Sequence, residues 1–365
     1  MQCHAEGVAA AGGGMNRRAV ELLVCPSSRQ PLEVESVSAE QDAEILDGVL
    51  VDSARRHRWP VRQGIPRFVS HQGYTASFGE QWTRYRQTQL DRVNGTTLSR
   101  DRLVQGTGWR FEQLKGQRVL EVGCGAGRFT EVLLAAGAEV YAIDYSRAVD
   151  ACWDNNAPHE RLVVAQADLY ALPFQPGMFD KVLCYGVLQH TPDVQRAFLS
   201  LVPFLAPGGQ IAIDVYKKAK GLGRITRWGS KYWWRPLTRR LPPAWLARWV
   251  EWYIPWWLPI DTLLQRIPGL GRYLVSIVPC WNYTGKLPLS PQQVKAWAIL
   301  DTFDALSAYY DSPQSMADVE SWFQHAGLVD AEIRGGSNGI VGNGRKPPVG
   351  TNGHATQHSH VLSHA

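Results

Sequence analysis

Short apolar runs alternate with amphipathic stretches from residue 118 onward, and this alternation predicts the central fold. Apolar runs bounded by turn residues predict five strands, at 118–122, 139–144, 162–168, 179–186 and 208–216. Between the first two, the run RFTEVLLAAG predicts a helix that ends at Gly137. Strands that alternate with helices form a parallel, doubly wound sheet. The predicted fold class is therefore α/β with a Rossmann-like sheet.

The sequence before this sheet divides into three parts. Residues 1–17 are rich in alanine and glycine and predict a disordered N-terminus. Residues 18–70 carry short strand-like runs broken by turns, beginning with VELLVCP, and predict a small β-rich module. The next part is helical in pattern, with Phe78, Trp82 and Tyr85 on one face. That helix either packs on the core or covers a bound cofactor.

The segment 217–312 is unusual because ten of the fifteen tryptophans lie between Trp228 and Trp297. Prolines break it into short helices, and basic residues alternate with the aromatic ones. In one interpretation it is a helical cap whose tryptophans bury against the sheet domain. In another, 228–281 touches a membrane surface or a lipid-linked substrate, because indole rings favour the lipid boundary and arginine pairs with phosphates. Base stacking on single-stranded nucleic acid is a third interpretation.

The C-terminal residues 349–365 are small and polar and predict a disordered tail. Their irregularly spaced histidines predict no specific metal site, only adventitious binding. These histidines are His354, His358, His360 and His364.

Composition narrows the class of protein. With 45% apolar and 19% charged residues the chain is an ordinary globular protein, and its formal charge of +5 permits an anionic partner but makes nucleic-acid binding unlikely. The six cysteines are scattered, which indicates reduced thiols. Because neither a signal peptide nor a spanning segment is evident, the predicted location is the cytoplasm, with peripheral contact at the inner face of the membrane as an option.

A glycine-rich turn comes directly after the first predicted strand. The run EVGCGAG places Gly123, Gly125 and Gly127 around Cys124, where glycine lets the backbone approach a ligand and turn into a helix. Because the spacing is G-x-G-x-G, it does not match the dinucleotide pattern G-x-G-x-x-G. Glu121, just before the turn, is expected to meet a cationic amino group through a water or a backbone amide.

Acidic residues end the next two strands. Asp144 lies 21 residues after Gly123, where a carboxylate can accept both hydroxyls of a ribose, and Tyr145 follows it. Asp168 ends the third strand and can take the amino group of adenine, while Leu169 lies against the ring. Ligands of such sheets bind at the carboxyl ends of the strands, so these residues form the expected cofactor site.

The runs EVGCGAG, AIDYS, ADLYALPF, FDKVLCYGVLQHTPD and LAPGGQIAI together resemble the motif series of class I S-adenosylmethionine-dependent methyltransferases of type 11. The resemblance covers about 118–216 and implies a cofactor domain at 78–216 and 313–348. It also implies a seven-stranded sheet whose last strand is antiparallel. By the same resemblance, Tyr185 and Gly186 line the methionine end of S-adenosylmethionine. Gln189 and His190 begin the next helix.

The pattern of LLVCP, DGVLV and GIPRF in 18–70 resembles the zinc-ribbon modules that precede some bacterial methyltransferases. Such modules hold zinc with two Cys-x-x-Cys pairs, of which only Cys25 is present here. Ser28 occupies its partner's position, and the second pair falls near Asp52 and Arg55. Four-thiolate coordination cannot form, so we predict that no metal binds here.

Methyl transfer to a hydroxyl needs an aligned acceptor and a base. The candidate bases are His190, Asp304, Tyr309 and Tyr310. No N-P-P-Y-like run follows the fourth strand, which argues against a planar amine of a nucleic acid as the methyl acceptor. The expected acceptor is therefore an oxygen of a small-molecule, glycan or lipid-linked substrate. An RNA methyltransferase, a nicotinamide dehydrogenase and a non-catalytic scaffold that binds S-adenosylmethionine are the alternatives.

Overall fold

The structure is a computed structural model, which describes residues 13–70, 73–219 and 227–349. The four histidines of the expected C-terminal tail and residues 1–12 of the expected N-terminal tail lie outside these ranges.

The N-terminal module is a four-stranded antiparallel sheet in the order β1-β2-β3-β4. Its elements are helix α1 (Arg17–Glu21) and strands β1 (Leu32–Gln41), β2 (Glu44–Asp52), β3 (Arg58–Arg62) and β4 (Ile65–Pro66).

The start of this module differs from the expectation in two respects. The first strand-like run begins in helix α1, because the Asn16 side chain caps it by accepting from the Arg18 amide at 2.9 Å. Gly13, Gly14 and Met15 are buried, and Met15 forms a β-bridge with Ile45, so the end of the expected disordered segment is packed.

Asp52 connects the two turns that would carry the ligand pairs of a zinc ribbon. Its carboxylate accepts from Ser28 Oγ at 2.8 Å and from the amides of Arg56 and His57 at 2.6 and 3.0 Å. His57 Nδ1 lies 3.0 Å from the same carboxylate, and this hydrogen bond lowers the pKa of Asp52. Potential ligand atoms of Cys25, Asp52 and His57 lie within 4.8 Å of one another. That no metal binds here remains a prediction, and it was made from the cysteine spacing without regard to His57.

The main domain contains a seven-stranded sheet in the order β10-β11-β9-β8-β5-β6-β7. Strands β5 to β9 are parallel, and β11 runs antiparallel to both β9 and β10. This confirms the predicted sheet and its antiparallel last strand. The elements up to β9 are α2 (Ala76–Arg84), α3 (Asp91–Asn94), α4 (Leu98–Thr107), β5 (Arg118–Val122), α5 (Arg128–Ala135), β6 (Glu139–Asp144), α6 (Ala148–Asn156), β7 (Leu162–Gln166), β8 (Phe179–Cys184), α7 (Val194–Leu201) and β9 (Leu205–Val215).

A helical insertion separates β9 from the last two strands. The remaining elements are α8 (Arg227–Thr238), α9 (Pro243–Leu264), α10 (Gly271–Leu274), α11 (Pro291–Ser307), α12 (Met316–His325), β10 (Val329–Gly336) and β11 (Gly339–Arg345). Helix α9 packs on α11 through a small core that includes Leu246, Val250, Ile254, Phe303 and Leu306. In the part of the chain that the structure describes, no helix combines the length and the apolar character needed to cross a bilayer.

Buried charges join the insertion to the segment after α11. Lys231 Nζ lies 2.5 Å from Asp311 Oδ2, and both side chains are almost fully buried. Arg235 donates to the carbonyls of Ala305 and Ala308 at 2.9 and 2.5 Å. Removing one member of such a group leaves an uncompensated buried charge, so α8 is held firmly against the end of α11.

Glu121, in strand β5, is buried between the sheet and α5. Its Oε2 accepts from Thr130 Oγ1 at 2.6 Å, and Oε1 has no hydrogen-bond partner among the described residues. Burial raises the pKa of Glu121 to about 8. The side chain is therefore protonated over most of the neutral range.

Replacing Asp52 by asparagine is expected to lower the melting temperature by several degrees, because an amide cannot accept the four contacts that the carboxylate holds. Since the folded pKa is lowered, this stabilisation is present above the unfolded pKa of about 4 and is lost as the pH falls below it. Thermal melts at pH 7 and pH 3 check both points. Asp42→Asn, in an exposed turn, is the matched control. Equal melting of the two variants at pH 7 would contradict the role of Asp52.

The raised pKa of Glu121 predicts a pH-dependent stability. The contribution of Glu121 to the free energy of unfolding is complete below the unfolded pKa of about 4.3. It shrinks by roughly 1.4 kcal/mol per pH unit as the pH rises toward the folded pKa of about 8. The Glu121→Gln variant should therefore gain stability relative to the native protein between pH 5 and pH 8. Urea unfolding across this range measures the difference, and the exposed Glu160→Gln serves as control. Parallel pH profiles for native protein and Glu121→Gln would show that burial of Glu121 has no such effect.

Candidate functional site

A cavity of about 680 Å³ lies at the carboxyl ends of the parallel strands. Its floor consists of the turns after β5, β6, β7 and β8, and its walls come from α2, α4 and the insertion. This is the edge of the sheet where ligands of doubly wound folds bind.

The glycine turn forms one side of this floor. Gly123, Cys124 and Gly125 line the cavity, and the two glycines have φ values of +76° and +53°, which side chains rarely adopt. A Cβ on Gly123 would lie 2.1 Å from Val187, and one on Gly125 would lie 3.0 Å from Trp82. The glycines therefore admit close approach of the β8 turn and of helix α2.

The ends of β6 and β7 bring two carboxylates to the cavity. Asp144 Oδ1 accepts from the amide and hydroxyl of Ser146 at 2.8 and 2.7 Å, and Oδ2 accepts from the Gly125 amide at 3.1 Å. Asp168 accepts from the Tyr170 amide at 2.9 Å. Burial raises the pKa of both carboxyls. Tyr145 and Leu169 line the cavity beside them.

The turn after β8 forms the opposite side. Tyr185 and Gly186 line the cavity, and the Tyr185 hydroxyl has no hydrogen-bond partner among the described residues. The Gly186 amide donates to Asp214 Oδ1 at 2.5 Å, and Arg102 Nη2 donates to Asp214 Oδ2 at 2.6 Å. Asp214 lies near the end of β9, and it is not among the residues predicted from the sequence.

His190 is held by the segment after α11. Its Nδ1 lies 2.8 Å from the carbonyl oxygen of Tyr310, and its ring packs against Phe78 and Tyr216. Because a carbonyl can only accept, Nδ1 carries a proton, and in the neutral form of the ring the lone pair is on Nε2. His190 and Asp304 both line the cavity, and Asp304 Oδ2 lies 3.4 Å from the Tyr216 hydroxyl.

Five of the predicted site residues do not line the cavity. Glu121 points beneath the glycine turn toward Thr130, and Gly127 faces α6, where a Cβ would lie 2.2 Å from an Asn156 nitrogen. The remaining three are Gln189, which is fully buried, and Tyr309 and Tyr310, of which Tyr309 is half-exposed. The roles assigned to these five residues at a bound ligand remain predictions. Tyr310 contributes its backbone carbonyl to the site by accepting from His190.

A polar network that was not predicted from the sequence joins the glycine turn to the insertion. Arg128 Nη1 donates to Gln89 Oε1 at 2.7 Å, Gln89 Nε2 lies 3.4 Å from Asp301 Oδ1, and the Tyr283 hydroxyl donates to Asp301 Oδ2. Burial lowers the pKa of Arg128 to about 10 and raises that of Asp301 to about 6. All four side chains line the cavity. Only the position of Arg128 directly after the glycines could have indicated its role.

The residues at the floor suit an adenosyl sulfonium cofactor. The Asp144 carboxylate has acceptor capacity beyond its three donors, and the Tyr185 hydroxyl lacks a partner within hydrogen-bond distance among the described atoms. Trp82 of α2 packs over Gly125, so the helix covers this part of the cavity. Both carboxylates lie at the strand ends where the sequence predicted contacts with ribose and adenine.

Comparison with known proteins gives a consistent identification. Residues 120–213 match the family model described as a methyltransferase domain. An uncharacterized protein of Synechococcus sp. is 39% identical over 114 residues, which is 29% of this chain and 27% of that protein. The Ubiquinone biosynthesis O-methyltransferase of Methylococcus capsulatus is 29% identical over 148 residues, which is 38% of this chain and 62% of that enzyme. The chain thus spans less than two thirds of the length of these relatives.

Among solved structures, human N-acetylserotonin methyltransferase in complex with SAM aligns with a TM-score of 0.41 and 13% identity, over 74% of this chain and 56% of that one. Residues 120–213, with their strand order and glycine turn, thus form a methyltransferase domain of the class I S-adenosylmethionine-dependent type.

Proposed function

We propose that this protein transfers a methyl group from S-adenosylmethionine to a hydroxyl oxygen of a small-molecule, glycan or lipid-linked acceptor. One observation carries the proposal: a single cavity contains the strand-end carboxylates Asp144 and Asp168 together with the candidate bases His190 and Asp304. Donor and acceptor can therefore meet within one cavity, as an in-line displacement requires.

Each group of residues on the cavity floor is proposed to bind a different part of the cofactor. Asp144 accepts the ribose hydroxyls, and its bond from the Gly125 amide fixes the carboxylate against the glycine turn. Asp168 and Leu169 take the adenine, while Tyr185 and Gly186 border the methionine end. These roles correspond to the order in which the strand ends border the cavity.

His190 is the proposed base. When bound, S-adenosylmethionine would supply an electrophilic methyl carbon to the acceptor oxygen, with S-adenosylhomocysteine as the leaving group. The Tyr310 carbonyl holds the Nδ1 proton of His190, so the lone pair of Nε2 is available for the acceptor hydroxyl. Asp304 is the second candidate. The side chains of Tyr309 and Tyr310 do not line the cavity.

The named relatives support oxygen as the acceptor atom. Two of them, from Methylococcus capsulatus and Coxiella burnetii, are Ubiquinone biosynthesis O-methyltransferases that are 29% identical over 148 and 147 residues, or 38% of this chain. A polar wall of Asp301, Asp304 and Tyr283 faces the cavity from the insertion, and such groups suit an acceptor that carries hydroxyls.

The first test is a calorimetric titration with S-adenosylmethionine and S-adenosylhomocysteine. The native protein should bind both, and Asp144→Ala should bind at least about tenfold more weakly, because a charged acceptor of two hydroxyls is lost. Glu160→Ala, with an exposed carboxylate, should bind like the native protein. NADH should not bind. Absence of binding by the native protein would refute the proposed activity, and unchanged binding by Asp144→Ala would refute only the role of Asp144.

The second test concerns the base. With a methyl-labelled donor and a panel of phenols, catechols and hydroxylated lipids, His190→Ala should reduce kcat by about 10² to 10⁴ while cofactor affinity is retained. Added imidazole should restore part of the rate, which a purely structural defect would not allow. His325→Ala, at the exposed end of α12, is the control. Full activity of His190→Ala would transfer the role to Asp304.

A further inference from the structure

An exposed apolar surface covers one side of the insertion. Of the sixteen large hydrophobic side chains that are exposed among the described residues, twelve lie in 232–277. Four of them are tryptophans that are 69–77% exposed, namely Trp233, Trp245, Trp252 and Trp256. Scattered exposed apolar residues are ordinary, but a contiguous patch of this kind marks an interaction site.

The patch is continuous along helix α9. Four exposed side chains of this helix are spaced by seven, four and seven residues, so they share one helical face. They are Trp245, Trp252, Trp256 and Leu263. The opposite face is buried against α11. Helix α9 therefore has two apolar faces, of which the described part of the chain covers one.

The charges around this surface are positive. Five arginines are exposed between α8 and the end of α10, at positions 239, 240, 248, 266 and 272. The two acids of 232–277 are engaged elsewhere: Arg84 and Tyr85 bind Glu251, and Asp261 is fully buried and accepts from Asn282 at 2.7 Å. The surface consequently offers positive charge to an anionic partner.

The same surface contains an aromatic groove of about 280 Å³. Five tryptophans line it, including Trp252 and Trp256 of the exposed face, with Tyr253, Ile260 and Val278 completing its walls. Such a groove offers hydrophobic contact without specific polar recognition, which suits a hydrocarbon chain better than a folded protein surface.

We propose that the surface of 232–277 rests on an anionic phospholipid bilayer. The indole rings lie at the boundary between headgroups and acyl chains, the arginines meet the phosphates, and the groove accepts part of a hydrocarbon chain. This binding is peripheral, and it does not rest on the proposed methyl transfer.

Flotation of the full chain with vesicles tests the proposal. The native protein should float with vesicles of phosphatidylcholine and phosphatidylglycerol. The triple variant Trp245→Ser, Trp252→Ser, Trp256→Ser should bind at least about tenfold more weakly. The double variant Val93→Ser, Val329→Ser removes two exposed apolar side chains outside the patch and should bind like the native protein.

A charge-reversal pair separates the electrostatic contribution. Arg239→Glu with Arg240→Glu should weaken binding to the anionic vesicles by about tenfold or more, and added salt should weaken native binding in the same direction. Arg56→Glu with Arg110→Glu, at exposed sites elsewhere, should leave it unchanged. Titration with S-adenosylmethionine on each variant shows whether the fold is intact, independently of any methyl transfer.

Two results would overturn the proposal. One is failure of the native protein to float, or flotation that the tryptophan variant retains in full. The other is a native protein that sediments as a dimer and does not bind vesicles, while the tryptophan variant sediments as a monomer. In that case a second copy of the chain covers the surface.

Discussion

The arrangement of the cavity depends on one buried carboxylate. Asp214, near the end of β9, is 1% exposed and accepts from the Gly186 amide and from Arg102. A buried charge of this kind is tolerated only with its partners in place. Because Gly186 belongs to the turn after β8 and Arg102 to α4, this carboxylate fixes two walls of the cavity at once. The parallel sheet supplies the strand ends, and Asp214 orients the turn at the end of β8.

A second set of contacts makes the insertion part of the cofactor domain. Arg128 comes directly after the glycine turn, and its guanidinium reaches Asp301 of α11 through Gln89. Burial shifts the pKa values of Arg128 and Asp301 toward each other, since both charged forms lose hydration. These hydrogen bonds connect the glycine turn to the wall that the insertion contributes to the cavity.

The parts of the site that depend on local periodicity could be predicted from the sequence. Strand ends and glycine turns are encoded by short runs, and Asp144 and Asp168, which the sequence assigns to strand ends, both line the cavity. Residues whose roles depend on distant partners were not. Glu121 is turned inward by Thr130, and the Tyr310 carbonyl binds His190 across 120 positions. No pattern within a window of the sequence specifies such pairs.

The tryptophans of the insertion lie in two different environments, and no single one of the three sequence interpretations accounts for all of them. Trp297 is buried and donates its indole N–H to the Thr88 carbonyl at 2.7 Å, as a core tryptophan should. Trp245, Trp252 and Trp256 remain exposed, although burying a large apolar side chain contributes about 1.5–3 kcal/mol. The folded chain forgoes that stabilisation several times along one helix. Among the described residues nothing covers these side chains, and the arginines around α9 favour a negatively charged partner such as the proposed bilayer.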